Sequence, residues 1–144
     1  IVFSMGRVIA TDSVRTERTR LKKGLVLAIR ELMRQREVND SARDLIAYIL
    51  LSLDRITETI DISVEAWEKR DYWLKADQFR REWRWSSIIA DRIRDNVYAQ
   101  DIQNLIPDLV SLGQALSDTT VSENHRLGTP WVGAWTRLNE QIAD

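Results

Sequence analysis

Between residues 45 and 60 apolar side chains recur every three or four positions without a gap: Leu45, Ile46, Ile49, Leu50, Leu53, Ile56 and Ile60. At 3.6 residues per turn all seven fall on one side of an α-helix, whereas a strand would divide them between two faces. The same spacing recurs in Val14, Leu21, Leu25, Ala28, Ile29, Leu32 and Met33, which predicts a helix over 12–36. Asp12 or Ser13 can cap its start, and Asn39-Asp40 breaks the chain after it. Ser41 with Asp44 then resembles a capping arrangement at the start of the 41–60 helix.

Asp61-Ile62-Ser63 is expected to interrupt the chain, with Ser63 capping a new helix and Glu65 in its first turn, the alternative being a helix that continues through it. That helix, 64–99, contains neither proline nor glycine and is the longest expected. One of its faces carries Tyr72, Phe79, Trp83, Ser86, Ala90, Ile93 and Val97 at the spacing of a packed seam. A second face carries Trp67, Leu74, Trp85, Ile88 and Ile89, so the helix should be contacted on two sides. Ile102 to Leu116 is again helical, with Pro107 opening a 107–117 helix, because proline has no amide hydrogen to give to a preceding turn. Residues 118–128 read as a polar loop. Thr129-Pro130 restarts the chain as a 130–143 helix carrying Trp131, Trp135, Leu138 and Ile142.

Five glycines and two prolines leave little material for the turns of a β-fold, and 144 residues are about one domain's worth. A mass of 16.8 kDa corresponds to about 7,600 Å² of folded surface, with close to ~70% of the extended surface buried. The expected architecture is a single all-α domain over 1–144: a mainly antiparallel four-helix bundle with one long helix and a short fifth C-terminal helix. Net charge alternates along the chain, +6 over 1–36, −6 over 37–68, +4 over 69–94 and −5 over the remainder. Alternation of this kind suits antiparallel neighbours, although each exposed ion pair contributes only a few tenths of a kcal/mol to about one. Gly24, in mid-helix, costs about 1 kcal/mol relative to alanine; it is expected to be simply tolerated unless close helix packing compensates.

The chemical inventory is thin. Without cysteine there is no disulfide, thiolate metal site or cysteine nucleophile, and His125 is the only histidine. It sits in the polar loop, where an exposed or structural role is expected. The glycines are isolated, so no phosphate-cradling loop is present, and no cofactor is indicated. No apolar run approaches the ~20 residues that span a bilayer, which argues against a membrane partner, and no leader is visible. A cytoplasmic, non-enzymatic protein is the expectation.

Six tryptophans stand out, and Trp67, Trp73, Trp83 and Trp85 fall within nineteen positions, interleaved with arginines. Tryptophan and arginine are enriched together at the centres of protein interfaces. Trp67, Trp73, Leu74 and Trp85 are therefore candidate anchors for a protein partner or for self-association, with Arg70, Arg81 and Arg84 as a charged rim. A second reading uses Arg80, Arg81 and Arg84, with Arg15, Arg18 and Lys22, to bind nucleic acid, since guanidinium groups grip phosphates while aromatics stack on bases. The overall charge of −1 argues against it. A third reading takes Glu58, Asp61, Glu65 and Glu68, spaced three, four and three, as a carboxylate face for a divalent metal in an enzyme.

Overall fold

The computed structural model describes the backbone of residues 2–143 and the side chains of residues 13–142. Among the described residues the protein is all-helical, with no strand: α1 (Val2–Arg34), α2 (Asp40–Lys69), α3 (Trp73–Tyr98), α4 (Ile106–Ala115) and α5 (Ala134–Ala143), with a 3-10 turn at Gln103–Leu105 leading into α4. No helix among them is long and apolar enough to cross a membrane.

The gap-free stripe defines the centre of the fold. All seven of its side chains are buried, and α2 packs against α1, α3 and α5. Each fully buried leucine or isoleucine contributes about 1.5–3 kcal/mol by leaving water. The stripe continues into Ser63 and Val64, also buried, so the expected break at 61–63 does not occur and α2 runs on to Lys69. The 41–60 and 64–99 helices are accordingly replaced by one of 30 residues and one of 26.

The chain turns instead at residues 70–72. Asp71 adopts a left-handed φ of 61°, its amide donating to the Glu68 carbonyl at 3.0 Å, while the Tyr72 amide donates to the Trp67 carbonyl at 2.9 Å. This pair of bonds is a common way to satisfy the last carbonyls of a helix, and it usually employs glycine. The end of α3 repeats it, with Gln100 at φ 57° and the Asp101 amide donating to the Asn96 carbonyl at 2.9 Å.

α1 and α3 flank α2 in antiparallel fashion, and the charge alternation appears as inter-helix pairs. Arg94 reaches Asp54 at 2.6 Å and Arg80 reaches Glu68 at 3.0 Å. Between α1 and α2 the local signs are inverted: Arg55 on the acidic helix forks over Glu17 on the basic one at 2.6 and 2.8 Å. Hydrogen bonding from Arg55 holds the Glu17 carboxyl below its usual range. The short α4 packs on both α3 and α1, where the carboxyl ends of those two helices meet the start of α2. A fourth bundle helix thus exists at about a third of the length of the three long ones, with α5 as the short fifth, and α3 is shorter than both α1 and α2 rather than the longest helix of the bundle. Met33, placed in the core stripe by its spacing, lies outside the core.

Gly24 is not merely tolerated. A β-carbon there would fall 2.0 Å from the Tyr48 hydroxyl oxygen and 3.1 Å from Cζ, and the Tyr48 ring is held edge-on against Trp131. Gly24→Ala is therefore expected to destabilise by about 1–3 kcal/mol through overpacking, despite alanine's better helix propensity. The loss should shrink in a Tyr48→Phe background, which urea unfolding of the four variants would resolve.

α5 starts at Ala134 rather than at Pro130; residues 130–133 form turns that end in Gly133 at φ 82°. Its free amides are satisfied from a distance. The Asp44 carboxylate accepts from the amides of Gly133 at 3.1 Å and Trp135 at 3.0 Å. Asp44 therefore does not complete a capping box for α2, whose N-cap is Asn39, accepting from the Ala42 amide at 2.9 Å. Asp44→Ala should cost about 1–2 kcal/mol and raise amide exchange selectively in α5, observable by hydrogen-exchange mass spectrometry.

Candidate interaction face

The inner seam of α3 forms from Phe79 onward, with Ser86, Ala90 and Ile93 buried and Phe79, Trp83 and Val97 half-buried; Tyr72, expected in it, is exposed ahead of the helix, and Ile89, expected on the second face, is buried instead. What remains outward is a face of its own. Residues 73, 74, 81, 84 and 88 cluster within about 100° of helix circumference, at 100° per residue. Leu74 is 86% exposed and Trp73 58%, with Ile88 also exposed and Tyr72 adjoining at the turn. Arg81 and Arg84 stand along the same face, Arg81 reaching Asp77 at 2.9 Å, and the exposed Arg70 sits at the turn that precedes it.

Two of the expected anchors lie elsewhere. Trp67 belongs to α2, not α3, and is half-buried with its ring edge-on to Phe79 at 4.7 Å and the Lys75 ammonium 4.8 Å from its centroid. Trp85 is half-buried at the margin of the exposed face, stacked on Trp83 at 5.5 Å. Both are structural supports of the face rather than free anchors, because most of their ring area is already in contact.

The basic residues proposed for nucleic acid are partly engaged. Arg18 is only 7% exposed. Its guanidinium donates to Thr59 Oγ1 at 3.1 Å, the Thr59 carbonyl at 3.0 Å and Ser63 Oγ at 2.7 Å, and lies 5.0 Å from the Phe79 ring. A side chain so placed cannot reach a phosphate. The Lys22 ammonium sits 5.5 Å from the Trp83 ring, Arg80 and Arg81 are paired with acids, and Arg15 and Arg84 are exposed.

Because α2 is continuous, Glu58, Asp61, Glu65 and Glu68 do share one side of it. They do not converge. Glu58 turns to Arg55 at 2.9 Å, Glu65 to Lys69 at 3.4 Å and Glu68 to Arg80 at 3.0 Å, as like charges on one helix face spread toward nearby cations. Among the described residues no three His, Asp or Glu side chains are grouped to hold a metal ion. His125 accepts from the Leu127 amide through Nδ1 at 3.2 Å, a contact that shapes its own loop.

One surface was not anticipated from sequence. The end of α1, the 35–39 loop, the start of α2 and α4 enclose an apolar groove of about 630 Å³. Met33, Val38, Ile106 and Val110 are all more than half exposed along it. The available signal was an excess: Ile106, Leu109, Val110 and Leu112 put more apolar side chains on α4 than one buried face can take.

No family model, curated protein or solved structure matches the chain. Function therefore rests on the chemistry of these surfaces.

Proposed function

We propose that the chain is a non-enzymatic protein–protein interaction or assembly subunit that docks through the outward face of α3. The observation that carries this reading is the side-by-side exposure of Trp73 and Leu74 within a rim of Arg70, Arg81 and Arg84. Tryptophan and arginine dominate binding energy at interfaces, and a leucine beside them extends the apolar centre that excludes water. Removing Trp73 and Leu74 from water would supply about 1.5–3 kcal/mol apiece. Trp67 and Trp85 support this by stiffening the base of the face, which lowers the ordering cost of binding.

Trp73→Ala with Leu74→Ala is expected to leave the fold intact, since neither residue is in the core, and to weaken association at least about tenfold. Circular dichroism and a binding titration check the two halves of that statement. Unchanged association in a folded double variant would refute the reading. Nucleic-acid binding is the weaker alternative: Arg18 is buried, and Arg80 and Arg81 are already ion-paired.

A further inference from the structure

We infer that the apolar groove between α1 and α4 is the contact between two copies of this chain, related by a two-fold axis. The inference rests on the assembly reading but uses a different surface from α3.

The wall that α4 gives the groove is Ile106, Leu109, Val110 and Gly113, at offsets of zero, three, four and seven. Such a stripe is both a wall and a ridge. Ile106 is 62% exposed and Val110 56%, so the helix that bounds the groove also presents the kind of apolar edge that would fill it. The chain thus carries its own complement, as a two-fold interface requires when one patch meets its copy.

Gly113 adds a second observation. A β-carbon placed there meets nothing within 4 Å, so the isolated chain has no steric need of glycine at a helical position. Gly113 lies in the last turn of α4, where glycine still has a lower helix propensity than alanine, and it allows another backbone to come close. The open space lies on the groove side of α4, where a second α4 would cross.

Charge agrees with this occupant. Arg36 and Glu37 stand together at the groove's rim. Neither side chain has an ion-pair partner among the described residues. A two-fold axis can set each Arg36 against the other copy's Glu37, so the rim is attractive toward itself where a like-charged rim would repel.

Sedimentation velocity between micromolar and hundred-micromolar concentrations tests the inference. It would compare the unaltered chain with Val110→Asp, Ile106→Asp and the Trp73→Ala/Leu74→Ala pair. Val110 and Ile106 are exposed, and an aspartate at position 106 suits the positive end of α4, so both variants should keep the helical circular dichroism of the parent. The expected result is a reversible dimer for the unaltered chain and for the α3 double variant, with dimerisation weakened at least about tenfold by either groove aspartate. A chain monomeric throughout, or folded groove variants that dimerise as strongly as the parent, would overturn the inference. The α3 reading stands or falls separately, on whether the Trp73/Leu74 pair alters partner binding.

Discussion

Arg18→Ala is expected to be among the most damaging single substitutions in the protein, lowering stability by about 3 kcal/mol. The guanidinium lies between α1, α2 and α3, held by two hydroxyls and a carbonyl and facing the rings of Phe79 and Trp83 at 5.0 and 5.7 Å. Among the described residues no carboxylate forms an ion pair with it. Burial and the neighbouring Arg15 lower its pKa, yet arginine starts so far above neutrality that it stays charged. Truncation removes a direct bridge among the three long helices and leaves a void under two aromatic rings. Arg18→Lys should recover little, because a compact ammonium cannot span the hydroxyls of Thr59 and Ser63 as a planar fork does. Arg18→Met is the informative comparison. It fills the space without the cost of desolvating a charge, so its loss in urea unfolding should be clearly smaller than that of alanine.

The second large effect is at Leu53, fully buried in the middle of α2. Leu53→Ala removes packing and leaves a cavity in the helix that contacts α1, α3 and α5, for a cost of about 2–5 kcal/mol. In a chain of this size that lowers the melting temperature by roughly 5–20 °C. The same substitution at Leu74, where the side chain is already in water, should stay within about 0.5 kcal/mol. A calorimetric pair of Leu53→Ala and Leu74→Ala thus separates the leucine that holds the fold from the one available to a partner.

The helical class and the two principal seams, 45–60 on α2 and 79–97 on α3, were legible because burial of one helix side leaves a periodic mark. The turn between them was not. Its expected place rested on Ser63 as a cap, but Ser63 is buried and accepts from Arg18, so its hydroxyl was engaged across helices rather than along its own. The actual turn uses Asp71 in a conformation that glycine ordinarily marks, and no residue of that type announces it. Trp67 consequently belongs to α2, whereas a break at 61–63 would put it on the following helix. Asp44 shows the same limit from the other side. A carboxylate close to a helix start looks like a local cap, yet its partners are 89 and 91 positions away.

Of the candidate face, Trp73, Leu74, Arg81 and Arg84 were legible as helical neighbours, since angle around a helix follows from position alone. Their exposure depended on which side of α3 met α2. Arg18 could not be recognised as a buried group, because its partners come from α2 and α3 and nothing in its own segment separates it from Arg15 or Arg20. The α1/α4 groove is likewise a product of assembly: it exists because α4 stops after ten residues and leaves one side uncovered.

The most direct test of the interaction reading is capture of partners from the native host lysate after nuclease digestion. The unaltered chain and the folded Trp73→Ala/Leu74→Ala variant would be compared by quantitative mass spectrometry. The account predicts a protein recovered in near-stoichiometric amount with the unaltered chain after digestion, and reduced at least about tenfold with the variant. Equal recovery by both chains, or loss of every partner on digestion, would contradict it.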